Sequence, residues 1–407
     1  MKDNQTNILV LNCGSSSVKY QLIEISKEKV LARGVVERIG LEGSRLKHEA
    51  KKRKIIIEDH ILDHDTAIDI IIKILLNDDF GVIKNINEIK AVGHRVVHGG
   101  EFFIKSSLIT DDFMETLKEC IPLAPLHNPA NIMGITAIKK ILPEVPQVGV
   151  FDTSFHQTMP EKAYIYPIPY EFYEKNRIRK YGFHGTSHRY VSRRAAEFLK
   201  IKYETLKIIT VHLGNGASIA AIDKGKSIDT SMGYTPLEGL VMGTRSGDID
   251  PAIPMILARD FRMNPASVDS LLNKKSGVLG ISGISSDMRD LEEKALKNDK
   301  RAKLALDIYS YRLKKYIGSY IAAMGGVNII VFTAGIGENS DYIREKTLEG
   351  LEFFGIKLDK KKNKGLRGKE ADISSPDSKV KILVIPTNEE LVIARDTRDI
   401  IISLKNK

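Results

Sequence analysis

The chain has 407 residues, 42% of them hydrophobic and 28% charged, a composition ordinary for a soluble globular protein and a length sufficient for two or three domains, each with its own core. Its 62 basic side chains outnumber 52 acidic ones, for a net charge of +10, and much of the excess sits in Lys51 to Lys54 and between Lys357 and Lys369. Without interleaved aromatics such runs read as solvated loops with a mild attraction for small anions, which argues against nucleic acid as a partner. Cys13 and Cys120 are too few for a disulfide framework and match no metal-ligand spacing, which fits a reducing compartment. The polar residues Lys2 to Gln5 lead straight into an apolar strand, unlike a signal peptide, and no apolar run reaches the roughly 18 residues of a membrane span. The expectation is a cytoplasmic protein without a membrane partner.

In chain order, the apolar run Ile8 to Leu11 stops at Asn12-Cys13-Gly14-Ser15-Ser16-Ser17 and resumes from Val18 to Ile23, which predicts a strand, a tight turn and a second strand. Such a turn can present backbone N–H groups and hydroxyls to an anion, with Lys19 adding charge, although one such turn alone also fits an ordinary hairpin. Val30 to Val36 and Ile55 to Ile57 read as further strands flanking a basic turn. A helix follows, with Asp65 as its cap and Ile68, Ile71, Ile72, Leu75 and Leu76 at helical spacing. Ile89 to Val97 is a strand that delivers Arg95 to a glycine-bounded loop, and two helices starting near residues 111 and 128 lead to a strand at Val148 that delivers Asp152. Pro160, Pro167 and Pro169 interrupt regular structure and place a domain boundary between residues 150 and 160.

Beyond it come a helix over residues 188 to 199 and then Ile208 to Ile222, a strand, the turn Gly214-Asn215-Gly216 and a strand, repeating the opening pattern. Residues 232 to 251 are too rich in glycine for a helix and too polar for a core strand, and they hold Arg245 between Gly243 and Gly247. A long helix over 301 to 324 carries the stripe Ala302, Leu306, Tyr309, Leu313, Tyr316, Tyr320 and Ala323, read as core packing or as part of a subunit interface. Val327 to Thr333 is a strand that runs into Ala334-Gly335-Ile336-Gly337-Glu338-Asn339-Ser340, and Lys381 to Ile385 is the last strand before a terminal helix. Chemistry at strand exits suits an open α/β sheet. Three glycine-rich turns after strands are what a bound nucleotide needs, because glycine lets the backbone approach its oxygens closely.

The segments NCGSSSVK, GHRVVHGG, FDTSFHQTMP, YGFHGTSH, HLGNGAS, GTRSGDIDP, SDMR, TAGIGENS and TNEELVIARDT, in this order from residue 12 to residue 397, resemble the acetokinase family. The resemblance implies two duplicated actin/Hsp70-like (ribonuclease H-like) α/β domains with a nucleotide cleft between them, the first formed by residues 1–150 plus 386–407 and the second by 151–385. It implies reversible, Mg2+-dependent transfer of the ATP γ-phosphoryl group to acetate by direct in-line displacement, with Mn2+ as an alternative ion and a homodimer as the assembly. Carried over by position, Asn12 and Glu389 hold the metal, Lys19 and the hydroxyls of residues 15 to 17 lie by the transferring group, and Arg95 holds the substrate carboxylate. Arg245 and His184 stabilise the transition state. Asp152 acts as acid/base or orients an arginine, and an ionised carboxylate substrate, which needs no general base, favours the second role. Val97, Leu126, Phe183 and Pro236 line a methyl pocket. His212, Leu213, Gly214, Asn215 and Gly216 bind phosphate, Asp287, Met288 and Arg289 contact the nucleotide, and Gly335, Ile336, Gly337, Glu338 and Asn339 form the adenosine loop.

Blander roles are also open to several of these positions. His94, His98, His127 and His188 suit hydrogen-bonded scaffold residues, Ser286 and Asn339 suit helix caps, Asp248 and Asp250 suit holding the Arg245 loop, and Cys13 suits a small filler. A sibling kinase for propionate or a longer acid, and a nucleotide-gated binding module on the same fold, are the competing functions.

Overall fold

The computed structural model describes residues 6–405 and divides into two compact units. One contains the residues up to Phe155 and returns for those from Asn388 onward, and the other spans His156–Thr387.

The first unit is built on an eight-stranded sheet: β1 (Asn7–Gly14), β2 (Ser17–Glu24), β3 (Lys29–Glu37), β4 (Arg45–Ala50), β5 (Arg53–Glu58), β6 (Ile89–Val96), β7 (Ser107–Leu108) and β8 (Gln147–Phe151), in the spatial order β5-β4-β3-β2-β1-β6-β8-β7. β1 to β5 form an antiparallel meander, whereas β1, β6 and β8 run parallel. Because β8 pairs with β6, it stays with the first unit, and the chain crosses only after Phe155 rather than at residue 150. β4 was not visible as a strand because Arg45-Leu-Lys-His-Glu-Ala sends only Leu46, His48 and Ala50 inward. The basic turn lies between β4 and β5, and not between β3 and the strand at Ile55.

Alternation along the strands sorts their side chains to two faces. Leu9, Leu11 and Val92 join the core under the helices His64–Leu76 and Asn128–Ile141. The terminal helix Glu389–Lys405 packs against β1, β6 and β8. Asp63, rather than Asp65, caps the helix at His64, its Oδ1 accepting from the Thr66 N–H at 2.8 Å. Gly93 in β6 permits a close approach of the terminal helix: a Cβ there would lie 2.5 Å from Thr397 Oγ1 and 2.6 Å from Ile393 Cγ2. Gly93→Ala should therefore destabilise the protein by about 1–3 kcal/mol, as overpacked core positions do, read as a lower urea midpoint.

Buried histidines add a pH dependence. Burial pulls the pKa of His94 down to about 4 and that of His98 to about 3, and His94 donates from Nε2 to Gln147 Oε1 at 2.8 Å. An unfolded histidine takes up its proton near pH 6.5, so the unfolded chain binds more protons than the fold between there and the lowered values. Stability from these groups is therefore full above about pH 6.5 and is lost as the pH falls toward 4. In urea titrations from pH 7 to pH 5, His94→Gln should remove up to about 1.4 kcal/mol per pH unit from that slope.

The second unit carries β9 (Lys207–Leu213), β10 (Ala217–Asp223), β11 (Lys226–Thr230), β12 (Ile329–Thr333), β13 (Ala371–Asp372) and β14 (Lys381–Val384), in the order β11-β10-β9-β12-β14-β13. β11, β10 and β9 are antiparallel, and β9, β12 and β14 are parallel. The run β3-β2-β1-β6-β8 in the first sheet has the same order and senses as β11-β10-β9-β12-β14 in the second. The duplication expected from the two hairpins is present in both sheets.

The helix expected over 188 to 199 begins three residues earlier, at Gly185, and packs on β9 and β12. The long helix Lys300–Met324 buries Ala302, Leu306, Tyr309, Leu313 and Tyr320. Its buried seam also takes in Ile317 and Met324, while Tyr316 is half-buried and Ala323 exposed. A helix repeat of 3.6 residues drifts off a strict alternation of four and three, which accounts for the shift. None of the described helices is long and apolar enough to cross a membrane.

Candidate active site

In the first unit, β6 and β8 are adjacent parallel strands, so Arg95 near the end of one and Asp152 just after the other emerge side by side. The Arg95 guanidinium donates from Nε to Asp152 Oδ1 at 3.0 Å and from its Nη2 to Oδ2 at 2.6 Å. This is the two-point geometry in which an arginine is held rigidly. Asp152 is buried and its carboxylate is spent on this pair. Burial alone would lower the Arg95 pKa, but Asp152, with Glu389 and Glu390 nearby, more than offsets that and holds it above its ordinary value.

The terminal helix brings Glu389 to the same place. Burial is the largest influence on its carboxyl and pushes the pKa up to about 7, with Arg95 and Lys19 pulling it down and Asp152 and Glu390 adding to the rise. Lys19 lies across from Asn12 in the β1–β2 register. A partly buried carboxyl in this state is incompletely compensated by its neighbours, and an amide-bearing Asn12 is the kind of oxygen donor that a hard cation accepts alongside water and phosphate. No group of three or more His, Cys, Asp or Glu among the described residues is placed to enclose a metal ion.

Residues missed by sequence reasoning secure the loop after Arg95. Asn131 accepts from the Val97 N–H at 3.0 Å and donates to the Cys13 carbonyl at 2.8 Å, linking that loop to the first turn. Asn128 accepts from the His98 N–H at 3.2 Å and donates to its carbonyl at 2.9 Å. Both asparagines occupy the start of a helix, and a buried polar side chain at a helix start is the signal that could have singled them out. Cys13 is buried, its thiol pKa pushed up to about 12 by burial, in keeping with a filler. Val97 is half-buried, whereas Leu126 is 68% exposed on this unit.

In the second unit, His184 precedes the helix Gly185–Leu199 in the left-handed region, with φ +56°, a costly conformation for a residue with a side chain and one that concentrates at functional sites. Its ring stacks on His212, centroids 4.2 Å apart, and its Nδ1 lies 2.9 Å from Ser218 Oγ. A Cβ built on Gly216 would sit 3.2 Å from an Arg245 Nη1 and 3.7 Å from His184 Nε2. The glycine therefore leaves room for both groups beside the β9–β10 turn.

Arg245 is largely buried without a carboxylate partner among the described residues. Its Nη1 donates only weakly, to the Pro236 carbonyl at 3.4 Å and to Met242 Sδ at 3.7 Å, and burial pulls its pKa down. A buried guanidinium in this state lacks the compensation that buried charges ordinarily have.

The loop bearing Arg245 is held at its base by Asp248. Asp248 Oδ1 accepts from the Gly239 N–H at 2.7 Å, Tyr316 donates to Oδ2 at 2.6 Å, and Arg312 donates to the Gly239 and Asp248 carbonyls at 3.0 Å each. Asp250 instead caps its own turn, accepting from the Ala252 N–H at 2.8 Å. Phe183 is buried and Pro236 half-buried in this unit.

A cavity of about 560 Å³ opens beside the other two glycine-rich turns, walled by Gly214 and Asn215, by Asp287, Met288 and Arg289, and by Gly335, Ile336 and Asn339. No atom lies within 4 Å of where a Gly335 side chain would begin. His212, Leu213, Gly216, Gly337 and Glu338 are not among its walls. His212 reaches Ser187 Oγ at 2.7 Å, Leu213 is core, and Glu338 accepts from the Thr387 N–H at 3.1 Å.

Ser286, Glu292, Ser340 and Arg367 complete the cavity wall, and of these Glu292, Ser340 and Arg367 were not singled out from sequence. The fully buried Arg344 donates to the carbonyls of Gly337 at 2.8 Å and Leu366 at 3.0 Å, so it ties the short helix Ala334–Asn339 to the segment carrying Arg367. Asp287, not Ser286, caps the helix Met288–Leu296, and Ser340, not Asn339, caps the helix Asp341–Leu348.

A duplicated α/β fold and a cavity beside glycine-rich strand exits are those of a nucleotide-dependent phosphotransferase. Residues 7–395 match the Acetokinase family. The chain is 64% identical over 399 residues to an acetate kinase of Thermoanaerobacterium thermosaccharolyticum, covering 98% of this chain and 100% of that protein. It is 62% identical over 396 residues to one of Thermotoga maritima, covering 97% and 98%. Among solved structures it superposes on the acetate kinase of Porphyromonas gingivalis with a TM-score of 0.94 at 54% identity, covering 97% and 100% of the two chains. With a propionate kinase from Francisella tularensis the TM-score is 0.91 at 46% identity, covering 97% and 99%. The chain belongs to the acetokinase family and is a kinase.

Proposed function

We propose that the protein transfers the γ-phosphoryl group of ATP to acetate, reversibly, giving acetyl phosphate and ADP. The observation that carries this reading is the pair of contrasting arginines. Arg95 is locked by Asp152 in a fixed pose suited to a substrate carboxylate, and Arg245 is partly buried with no carboxylate partner among the described residues, beside His184. In a loose phosphoryl-transfer transition state the charge spreads over the equatorial oxygens, so positioning and cationic donors carry most of the catalysis.

Arg95 orients the acceptor, while Arg245 and His184 donate to the transferring group. The carboxylate is already ionised and needs no base, which leaves Asp152 the task of anchoring Arg95. Asn12 and Glu389 are the residues that would hold Mg2+, or Mn2+ in its place, and when bound the ion neutralises phosphate charge. The cavity at Gly214, Asp287 and Gly335 takes the nucleotide. A homodimer is in keeping with the exposed apolar side chains Ile253, Met255 and Phe261, and we assign the protein to the cytoplasm.

A hydroxamate trap for acyl phosphate, run with ATP, Mg2+ and acetate, tests the reading. Product at millimolar acetate is expected, and its absence would favour a nucleotide-gated binding module. The similarity to a propionate kinase supports a second reading. A methyl pocket separates acids differing by one methylene by only about 10–200-fold, so kcat/KM across a series of acids decides, and propionate exceeding acetate would overturn the acetate assignment.

A further inference from the structure

Behind His184, between the helix Gly185–Leu199 and the hairpin β9–β10, lies a row of polar groups that phosphoryl transfer itself does not call upon. His184 and His188 are one helical turn apart, Thr210 and His212 share a face of β9, and Ser218 sits opposite His212 in the register. The row runs from Thr210 Oγ1 to His188 Nδ1 at 2.7 Å, from His188 Nε2 to Ser218 Oγ at 2.8 Å, and from Ser218 Oγ to His184 Nδ1 at 2.9 Å. Thr210, His188 and Ser218 are wholly buried, and burial keeps His188 neutral.

The hydrogens along this row can be counted. Ser218 has one, and it lies between two ring nitrogens. If Thr210 donates to His188 Nδ1, then His188 carries its proton on Nε2 and donates to Ser218. Ser218 donates in turn to His184 Nδ1, so a neutral His184 holds its proton on Nε2. In the opposite sense His184 donates from Nδ1, Ser218 donates to His188 Nε2, and His188 donates from Nδ1 to Thr210. The Thr210 hydroxyl, which makes no other hydrogen bond among the described residues, is then left buried without an acceptor, at a cost. The first sense satisfies the Thr210 and Ser218 hydroxyls, both His188 nitrogens and His184 Nδ1.

We propose that Thr210, His188 and Ser218 are positioning residues that hold His184 in the tautomer with its proton on Nε2. That nitrogen lies on the same side of Gly216 as Arg245, so in this tautomer the imidazole presents an N–H donor on the side that carries the guanidinium. The inference rests on the reading of His184 as a donor to the transferring phosphoryl group.

The test uses the full-length protein with 15N-labelled histidine. Long-range 1H–15N spectra distinguish the two tautomers, and His184→Asn assigns the His184 signals. The wild type should show His184 protonated on Nε2 at pH 7. Ser218→Ala should mix the tautomers and lower kcat about 10-fold, with KM for ATP changed less than about 3-fold. Thr210→Val, which removes only the far hydroxyl, should shift the tautomers in the same direction and serves if Ser218→Ala fails to fold. Wild-type His184 protonated on Nδ1, or tautomers unmoved in both variants, would overturn the proposal. A tautomer change without loss of kcat, or a fully active His184→Asn, would instead overturn the donor role of His184 and leave the row standing.

Discussion

Arg245→Ala should lower kcat by about 10³-fold or more, the range found for arginines that stabilise phosphoryl-transfer transition states, while the folded protein loses no more than about 1 kcal/mol of stability. The two halves of this result have one cause. Arg245 is partly buried, with a single carbonyl at 3.4 Å and a thioether at 3.7 Å as its partners among the described residues, so the fold bears part of the cost of desolvating a guanidinium and recovers little of it. Removing the charge relieves that cost and offsets the cavity left by the side chain. Arg344, also buried, is the contrast, because its guanidinium bonds the Gly337 and Leu366 carbonyls and Asn363 Oδ1 and its removal would strand those acceptors. Steady-state kinetics with ATP and acetate, paired with urea denaturation, measure both quantities. Loss of stability in step with activity would show that Arg245 is structural.

Asp152→Ala should lower kcat/KM for acetate by about 10²–10³-fold and cost about 3–5 kcal/mol of stability, as breaking one side of a buried ion pair does. With the carboxylate gone, the Arg95 guanidinium loses both of its short bonds, at 3.0 and 2.6 Å, and with them the fixed pose for an acceptor. Asp152→Asn keeps one acceptor oxygen and should recover part of both losses. If Asp152 served as an acid or base, the defect would depend on pH and would appear in kcat for Asp152→Asn with the acetate KM unchanged. An anchor predicts a rise in the acetate KM and a defect that is flat with pH.

Much of this site was legible because its motifs are local. Strand–turn–strand at residues 8–23 and 208–222 is written in runs of Ile and Val interrupted by glycine, and both hairpins are present. The order of the glycine-rich segments carried the family. Elements whose signal is spread thinly were not legible. β4 offers only one large apolar inward residue, Leu46, with His48 and Ala50 beside it among charged ones, and Asp63 outcompetes Asp65 as a cap because its carboxylate accepts from the Thr66 N–H. Nor did spacing mark Asn128, Asn131, Glu292, Arg344 or Arg367, whose importance lies in partners distant along the chain.

By itself, then, the sequence determined the two strand–turn–strand repeats, the segments that name candidate residues and the family, since each is encoded in short range by residue type and period. Only the tertiary structure decided what each group faces. It placed Asp152 against Arg95 across two parallel strands, left Arg245 without a carboxylate partner among the described residues, raised the Glu389 carboxyl pKa by burial, and lined up Thr210, His188 and Ser218 behind His184. Charge compensation and proton placement depend on distances of a few ångströms between segments far apart in the chain, and these are set by packing rather than by any local pattern.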